Sequence, residues 1–206
     1  MRTPGSGSSH YLGIDDGYFP KKFKGMRGRT VLAAVMTRHP SASVLCIEFT
    51  YITVDGLDAT TAAAYLVDKC RVRAEPQLVF LDGVTYAGFN IIDPERLHLI
   101  TGLPIAVIFW RPLNMEKVRK ALANHFPDWR YRYGIIEGVY RRSTPLEHGQ
   151  GSALRIASYG VSTAVARQAV ASSRIYHPYP YPLKLADTVA SSLSRYLLGD
   201  DENHRL

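Results

Sequence analysis

The segment that indicates the fold is Phe80–Asp93, "FLDGVTYAGFNIID". An apolar, strand-like run, "QLVFL", precedes it and stops at Asp82 and Gly83, two residue types that are poor in strands and common in turns. Asp82 therefore has two interpretations. It is either a turn residue after a core strand or a ligand or catalytic group, because sites in open α/β sheets gather at the carboxyl ends of strands.

The composition indicates one globular domain. The chain has 206 residues, of which 46% are hydrophobic, and we expect a flexible polar lead-in over residues 1–10 followed by a single domain over residues 11–206. No apolar run approaches the roughly 20 residues that span a bilayer, and no secretory signal is evident, so we expect a cytoplasmic protein without a membrane partner. Cys46 and Cys70 lack C-x-x-C spacing, which argues against zinc or redox chemistry.

The charge balance suggests that the protein binds a polyanionic partner. The formal net charge is +7 and the sequence pI is about 9.5. Such an excess of basic residues suits a nucleic acid, although a merely solvated basic surface has the same composition.

The predicted elements form an α/β mixed sheet. Three strand-like runs that can form an antiparallel meander come first, and helices then alternate with two buried strands that can pair in parallel through crossovers. The strand-like runs are "YLGID" (11–15), "TVLAAVMTR" (30–38), "VLCIEFTYITV" (44–54), "QLVFL" (77–81) and "LPIAVIFW" (103–110). Helices are predicted over 58–72, 94–101 and 114–126, with two closing helices. The segment "WRYRY" (129–133) fits either a single-strand nucleic-acid platform or a half-buried strand.

Acidic residues follow three of the predicted strands. Asp15 and Asp16 end the first, Asp55 and Asp58 follow the third, and Asp82 follows the fourth. If the first and fourth strands are neighbours, Asp15 and Asp82 meet, and crowded carboxylates repel unless a cation lies between them. Oxygen ligands of this kind suit Mg²⁺ or Mn²⁺, and a pair of such ions suits phosphodiester hydrolysis.

Three motifs resemble those of a known archaeal family. "GIDDG" (13–17), "VDGLDAT" (54–60) and "FLDGVTYAGFNIID" are similar to motifs of a family first labelled domain of unknown function ninety-nine. That family is related to endonuclease V, and some members are described as endonuclease dU, acting on deoxyuridine in DNA. The resemblance runs from about Tyr11 to Leu198. It implies a ribonuclease H-like fold, an antiparallel meander plus parallel strands flanked by helices, with metal-bound carboxylates.

The resemblance also implies roles for individual acids. Asp15 and Asp82 correspond to catalytic metal ligands. Endonuclease V has a glutamate after its third strand where this chain has Asp55 and Asp58, so we take both as catalytic candidates and Asp58 as the third ligand. Successive strand residues face opposite ways, so Asp16 is expected to support the site or cap a loop. Near the C-terminus the family pattern Pro-Glu-Pro-Leu-Arg-x-Ala-His lacks its glutamate and histidine here, and Asp187 replaces the histidine.

Further residues are candidates for binding substrate. Gly83 is one of them. Tyr86, Gly88, Phe89 and Asn90 could form a pocket for a base turned out of a duplex, with Asn90 contacting the base edge and an aromatic ring stacking on the base. Alternatively they form only a tight loop with Phe89 in the core, which is the position we favour for Phe89.

Three basic side chains are candidates for binding phosphate. They are Arg111, Lys21 and Lys22, which could bind phosphate groups or be ordinary surface charges.

We therefore predict a Mg²⁺- or Mn²⁺-dependent endonuclease that nicks uracil- or hypoxanthine-containing DNA in DNA repair. The alternatives are a catalytically reduced nucleic-acid-binding protein of the same fold and a nuclease acting on structured RNA. Expected partners are DNA and possibly RNA, and the sequence does not indicate an oligomeric state.

Overall fold

The computed structural model describes residues 8–25, 28–146, 154–175 and 178–198. Most of the predicted lead-in, residues 1–7, lies outside these ranges. The strands are β1 Ser9–Asp16, β2 Arg29–His39, β3 Ser43–Thr53, β4 Leu78–Asp82, β5 Thr85–Tyr86, β6 Asn90–Ile91, β7 Ile105–Phe109, β8 Thr144–Pro145 and β9 Arg155–Tyr159. The α-helices are α1 Ala59–Arg71, α2 Pro94–Thr101, α3 Met115–His125, α4 Trp129–Arg142, α5 Thr163–Ser172 and α6 Tyr181–Leu198.

The main sheet has seven strands in the order β3-β2-β1-β4-β7-β9-β8. Strands β1, β2 and β3 form the antiparallel meander, and β4 pairs in parallel with both β1 and β7. The predicted mixed sheet is thus confirmed. The sequence analysis did not identify β9, which adds to β7 in the antiparallel direction and extends the sheet.

Helices cover both faces of this sheet, because alternate strand residues point to opposite sides. Leu12 and Ile14 of β1 belong to the core beneath α1 and α2, whereas Tyr11 faces the opposite side together with residues of α5 and α6. Continuous apolar runs such as Ile105–Phe109 are buried along their whole length, as expected for strands covered on both faces.

Helix α6 approaches β1 unusually closely. A Cβ atom on Gly13 would lie 2.4 Å from the backbone nitrogen of Leu183, and one on Gly17 would lie 2.3 Å from the backbone oxygen of Ala190. Real Cβ atoms do not tolerate such distances, so both glycines are required for α6 to lie flat on β1. The two glycines of "GIDDG" therefore bring α6 against the strand segment that carries the first acids.

The segment "WRYRY" is helical, so its interpretation as a half-buried strand was wrong, whereas its role as a platform for single-stranded nucleic acid stays a prediction. It opens α4, where Arg132, Ile136 and Val139 are buried at intervals of four and three residues, the spacing of one helix face. Its alternation of basic and aromatic residues resembles a strand only over five positions.

Within the described ranges, none of the helices has the length and apolar character needed to cross a membrane.

Candidate active site

The central feature of the site is a pair of carboxylates on adjacent parallel strands. Ile14 of β1 is in register with Leu81 of β4, so the next residues, Asp15 and Asp82, stand side by side where the two strands end. Both point to the face covered by α6, because each lies an even number of residues from a side chain on that face, Tyr11 in β1 and Phe80 in β4. The predicted proximity of Asp15 and Asp82 is present in the structure.

The two carboxylates are held in an unfavourable environment for negative charge. Asp15 is only 9% exposed, and burial followed by the charge of Asp82 raises its pKa well above the usual value. Burial likewise raises the pKa of Asp82 from 3.8 to about 7. A buried pair of this kind attracts a proton or a cation, because either one relieves the repulsion.

Asp16 points to the other side of the sheet and fixes a loop. Its Oδ2 accepts a hydrogen bond from the backbone N–H of Ala87 at 2.8 Å. Burial raises the pKa of Asp16 to about 6, although this hydrogen bond opposes the rise. Asp16 thus connects β1 to the loop that follows β4, in agreement with the expectation of a supporting or loop-capping role.

A cavity of about 500 Å³ opens beside the carboxylates. Asp15, Asp16 and Asp82 lie on its lining together with the turn residue Gly83, whose φ of +67° is in the left-handed region. The rest of the wall is mainly apolar and comes from the loop after β4, the end of β7, α3 and α4: Val84, Phe89, Phe109, Leu113, Val118 and Ile136. This combination of apolar walls and a few converging polar groups is typical of a ligand site.

Two aromatic residues line the cavity on the α6 side. The ring of Trp110 contacts that of Tyr179 with 4.0 Å between centroids. The buried indole N–H of Trp110 has no acceptor at hydrogen-bond geometry among the described residues. It nevertheless lies close enough to Asp82 to oppose part of the rise in that carboxyl's pKa. We therefore treat the indole as a nearby dipole and an available donor rather than as a formed hydrogen bond.

Helix α6 brings an ion pair to the same cluster. The Nζ of Lys184 lies 2.6 Å from Oδ2 of Asp187. The charge of Asp187 raises the pKa values of Asp15 and Asp82, and the charge of Lys184 lowers that of Asp82. The sequence analysis treated Asp187 as the replacement of a histidine that could still accept a hydrogen bond or a metal-bound water, and it did not identify Lys184.

Asp55 and Asp58 do not lie on the cavity lining with Asp15 and Asp82, and their roles as catalytic residues, and that of Asp58 as a metal ligand, stay predictions. The carboxylate of Asp58 accepts hydrogen bonds from the backbone N–H and the hydroxyl of Thr53 and from the side-chain amide of Asn90. The carboxylate of Asp55 accepts the backbone N–H of Phe89 at 2.9 Å. Both acids hold the chain before α1 against the loop after β4.

Asn90 and Tyr86 occupy buried positions beside the loop after β4. Asn90 is fully buried, and its side chain donates to the carbonyl of Thr53 and accepts from the N–H of Ala59. Tyr86 is 1% exposed. Neither side chain lies on the cavity lining, and their role in contacting a base stays a prediction.

Gly88 has a backbone role. Its φ of +86° and the position of the Asp55 carboxylate, 2.3 Å from where a Cβ would lie, leave no room for a side chain. The predicted pocket instead has Phe89 and Thr85 of the same loop on its lining.

The three predicted phosphate-binding residues lie at this end of the sheet. Arg111 is exposed and lines the cavity just beyond β7. Lys21 and Lys22 are exposed in a short 3-10 turn, Lys21–Phe23, that follows β1. They occupy the same sheet end as the carboxylates, and their contact with substrate remains a prediction.

Sequence reasoning did not find Arg132, which fixes the cavity wall. This buried guanidinium pairs with Asp128 at 3.0 Å and donates to the carbonyls of Gly56 and Phe89. It thereby ties α4 to the loop after β4. An arginine within a basic, aromatic segment carries no signal in the sequence that distinguishes it from its exposed neighbours.

The donor set at the cluster fits a divalent cation only in part. In the described part of the chain, no three His, Cys, Asp or Glu side chains are arranged so that they could hold a metal ion. Mg²⁺, however, commonly binds through one or two carboxylates and completes its shell with water and substrate phosphate. Asp15 and Asp82 fit that mode.

The sequence profile of the family described as Endonuclease dU matches residues 8–194. The chain belongs to this family. A relative from Thermococcus gammatolerans, named only as a UPF0215 protein, is 35% identical over 182 residues, which cover 88% of this chain and 90% of the relative.

Solved structures show the same fold. A protein of unknown function from Archaeoglobus fulgidus is similar with a TM-score of 0.75 and 26% identity, over 90% of this chain and 98% of that one. Endonuclease V of Ciona intestinalis, crystallised with a 24mer DNA containing an inosine followed by a ribo-adenosine, is similar with a TM-score of 0.61 and 12% identity. That likeness covers 94% of this chain and 88% of the other. The predicted ribonuclease H-like, endonuclease V-related fold is therefore confirmed.

Proposed function

We propose that this protein is a divalent-cation-dependent endonuclease that nicks DNA beside a deaminated base, uracil or hypoxanthine. The observation that carries the proposal is the buried pair of Asp15 and Asp82 at the ends of two parallel strands, facing a cavity of about 500 Å³. Membership of the Endonuclease dU family and the fold shared with endonuclease V support a nuclease acting on DNA.

Asp15 and Asp82 would hold the cation through carboxylate oxygens. When bound, a divalent cation supplies an activated water and stabilises charge on a reacting phosphate. The protein contributes position and electrostatics. Asp16 fixes the loop that forms one cavity wall, and the guanidinium of Arg111 on the rim can pair with a phosphate oxygen of the substrate.

The apolar part of the cavity would accept the altered base. A base turned out of the stack exchanges stacking in the duplex for contact with aromatic and aliphatic side chains. Phe89 lies on the cavity wall and is itself fixed edge-on against Phe126, with 5.6 Å between the ring centroids. Deaminated bases pair poorly, so turning them out costs less than turning out an undamaged base, which gives selectivity without a dedicated side-chain contact.

A nicking assay tests this proposal. Duplexes carrying uracil, hypoxanthine or no lesion are incubated with the protein in Mg²⁺, Mn²⁺ or EDTA, and an RNA duplex carrying inosine serves as a further arm. We expect nicking of the lesion-containing DNA only with a divalent cation, and its loss by orders of magnitude in Asp82→Asn. Asp68→Asn is the matched control, because Asp68 is an exposed carboxylate of α1 paired with Arg71. Equal nicking by wild type and Asp82→Asn would reject the catalytic role.

DNA binding is tested separately by its salt dependence. Each phosphate neutralised by a basic side chain releases counterions, so affinity should fall by orders of magnitude between about 50 and 200 mM salt. Arg111→Ala should weaken binding and reduce the slope against salt by about one. An affinity that does not change with salt would argue against a nucleic-acid partner.

A second candidate function is nucleic-acid binding without cleavage. It is favoured by the lack of a three-residue ligand group among the described residues and by Asp187 in place of the family's histidine. This candidate predicts salt-dependent binding of lesion-containing DNA with no nick in any cation.

A further inference from the structure

The ion pair between Lys184 and Asp187 lies against the carboxylate cluster rather than elsewhere on the surface. The two residues are three positions apart in α6, and their charged atoms are 2.6 Å apart. Their side chains are 50% and 40% exposed, so the pair is not in the core. The Nζ of Lys184 also lies 5.8 Å from the centroid of the Tyr179 ring, which lines the cavity, so the pair is beside the site.

Packing fixes the part of α6 that carries this pair. Gly13, two residues before Asp15, contacts the backbone at Leu183, and Gly17 contacts the backbone at Ala190. The helix is therefore held against β1 on both sides of Asp187. The distance between the helix backbone and Asp15 cannot change much, although the Lys184 and Asp187 side chains can rotate.

The charges of the pair act on the cluster. Asp187 adds a negative charge near Asp15, Asp16 and Asp82, since it raises the pKa of all three carboxyls. Lys184 provides the opposing charge, because its ammonium lowers the pKa of Asp82 while the charge of Asp15 raises the pKa of Lys184. Lys184 is therefore the basic side chain that α6 brings beside the cluster.

We propose that Lys184 is a built-in counter-ion of the carboxylate cluster, which binding of a divalent cation displaces from Asp187. The inference rests on the proposed cation-dependent function and adds a residue that sets the cation's affinity. Lys184 positions Asp187, and an Asp187 carboxylate released from Lys184 would add its negative charge to the carboxylates that would hold the cation.

Elementary electrostatics supports the exchange. A divalent cation held by Asp15 and Asp82 would repel a nearby ammonium group, and it would attract the Asp187 carboxylate about twice as strongly as a monovalent charge at the same distance. Release of Lys184 costs little, because its half-exposed ammonium regains water and side-chain freedom. The pair also stabilises the cation-free protein, in which the carboxylates would otherwise repel one another without compensation.

The test measures Mn²⁺ binding to the nucleic-acid-free protein, by electron paramagnetic resonance of free Mn²⁺ and by calorimetry. Lys184→Met removes the competing charge while keeping the length of the side chain, and it should bind Mn²⁺ about tenfold more tightly than wild type. Asp187→Asn should bind about tenfold more weakly. Lys69→Met is the matched control, because Lys69 is an exposed lysine near the end of α1, and its affinity should equal that of wild type.

The double variant separates displacement from simple repulsion. If Lys184 acts by holding Asp187, the effect of Lys184→Met should be much smaller when Asp187 is already asparagine. The inference would be overturned if Lys184→Met changed the Mn²⁺ affinity equally with aspartate and with asparagine at position 187. It would also be overturned if Lys184→Met alone did not raise the Mn²⁺ affinity.

Asp82→Asn distinguishes this failure from failure of the proposed function. Loss of Mn²⁺ binding in Asp82→Asn without any effect of Lys184→Met overturns only the role of Lys184. If neither wild type nor Lys184→Met binds Mn²⁺, both proposals fall.

Discussion

Replacing Asp82 by asparagine should stabilise the cation-free protein while it abolishes cleavage. The carboxylate is buried beside Asp15, and its pKa is raised from 3.8 to about 7. The folded protein therefore holds the Asp82 proton more tightly than the unfolded chain does. The free energy of unfolding consequently falls as the pH rises from about 4 to about 7, and it stays low at higher pH. Asparagine has nearly the same shape and no charge, so it removes the free-energy cost of burying an ionised carboxylate at this position.

The size of the effect follows from the same pKa. One pKa unit corresponds to about 1.4 kcal/mol, so a rise of about 3 units sets an upper limit of roughly 4 kcal/mol at pH 8. Water and salt at the cavity screen part of this cost, and Asp15 shares the repulsion, so we expect about 2 kcal/mol. For a domain of this size, that corresponds to a rise in Tm of about 4–8 °C.

Thermal and urea denaturation in EDTA, followed by circular dichroism at pH 8 and pH 5, measure the effect. Asp82→Asn should be the more stable protein at pH 8, and its advantage should shrink at pH 5, where wild-type Asp82 is protonated in the folded state. Saturating Mn²⁺ should stabilise wild type and leave the variant unchanged. A variant that is less stable than wild type at pH 8 in EDTA would refute the reasoning.

Asp58→Asn is the informative comparison, because this substitution should lower the free energy of unfolding, whereas Asp82→Asn should raise it. The Asp58 carboxylate accepts hydrogen bonds from Thr53 and Asn90, and an amide would turn a donor toward these donors. We expect a loss of about 1–3 kcal/mol that depends little on added cation.

Two further substitutions test the packing around the site. Gly13→Ala should destabilise the protein by about 2 kcal/mol or more, since its Cβ would lie 2.4 Å from the Leu183 nitrogen; an unchanged Tm would show that α6 can move away from β1. Arg132→Met should cost about 3 kcal/mol in urea denaturation because it leaves Asp128 without its buried partner and the carbonyl of Phe89 without a donor. A neutral Arg132→Met would show that the ion pair does not stabilise the cavity wall.

The carboxylate pair could be predicted because it depends on strand order. Once β1 and β4 are neighbours in a parallel pair, the residues at their carboxyl ends must meet, and Asp15 and Asp82 are those residues. The family resemblance assigned Asp15 to the site, and alternation then placed its neighbour Asp16 on the other face of β1.

The roles of Asp58 and Asn90 could not be predicted in the same way. Both lie near strand ends and have the side chains expected of a site, but each satisfies the other through a direct hydrogen bond. Pairing of this kind depends on how the loop after β4 folds back over the start of α1, and no sequence spacing specifies it. The contribution of Lys184 depends similarly on the docking angle of α6, which is set by contacts at Gly13 and Gly17.

The division of the site between β1 and α6 also has a consequence for synthesis of the protein. The ribosome makes Asp15 early and Asp187 only after every strand of the main sheet. Until α6 docks, the strip of β1 and β2 that it covers, including Val31 and Ala33, is open to water. A nascent chain therefore lacks Asp187 beside Asp15 and has an uncovered sheet face. It should complete the cluster and gain protection from aggregation in the same late folding step.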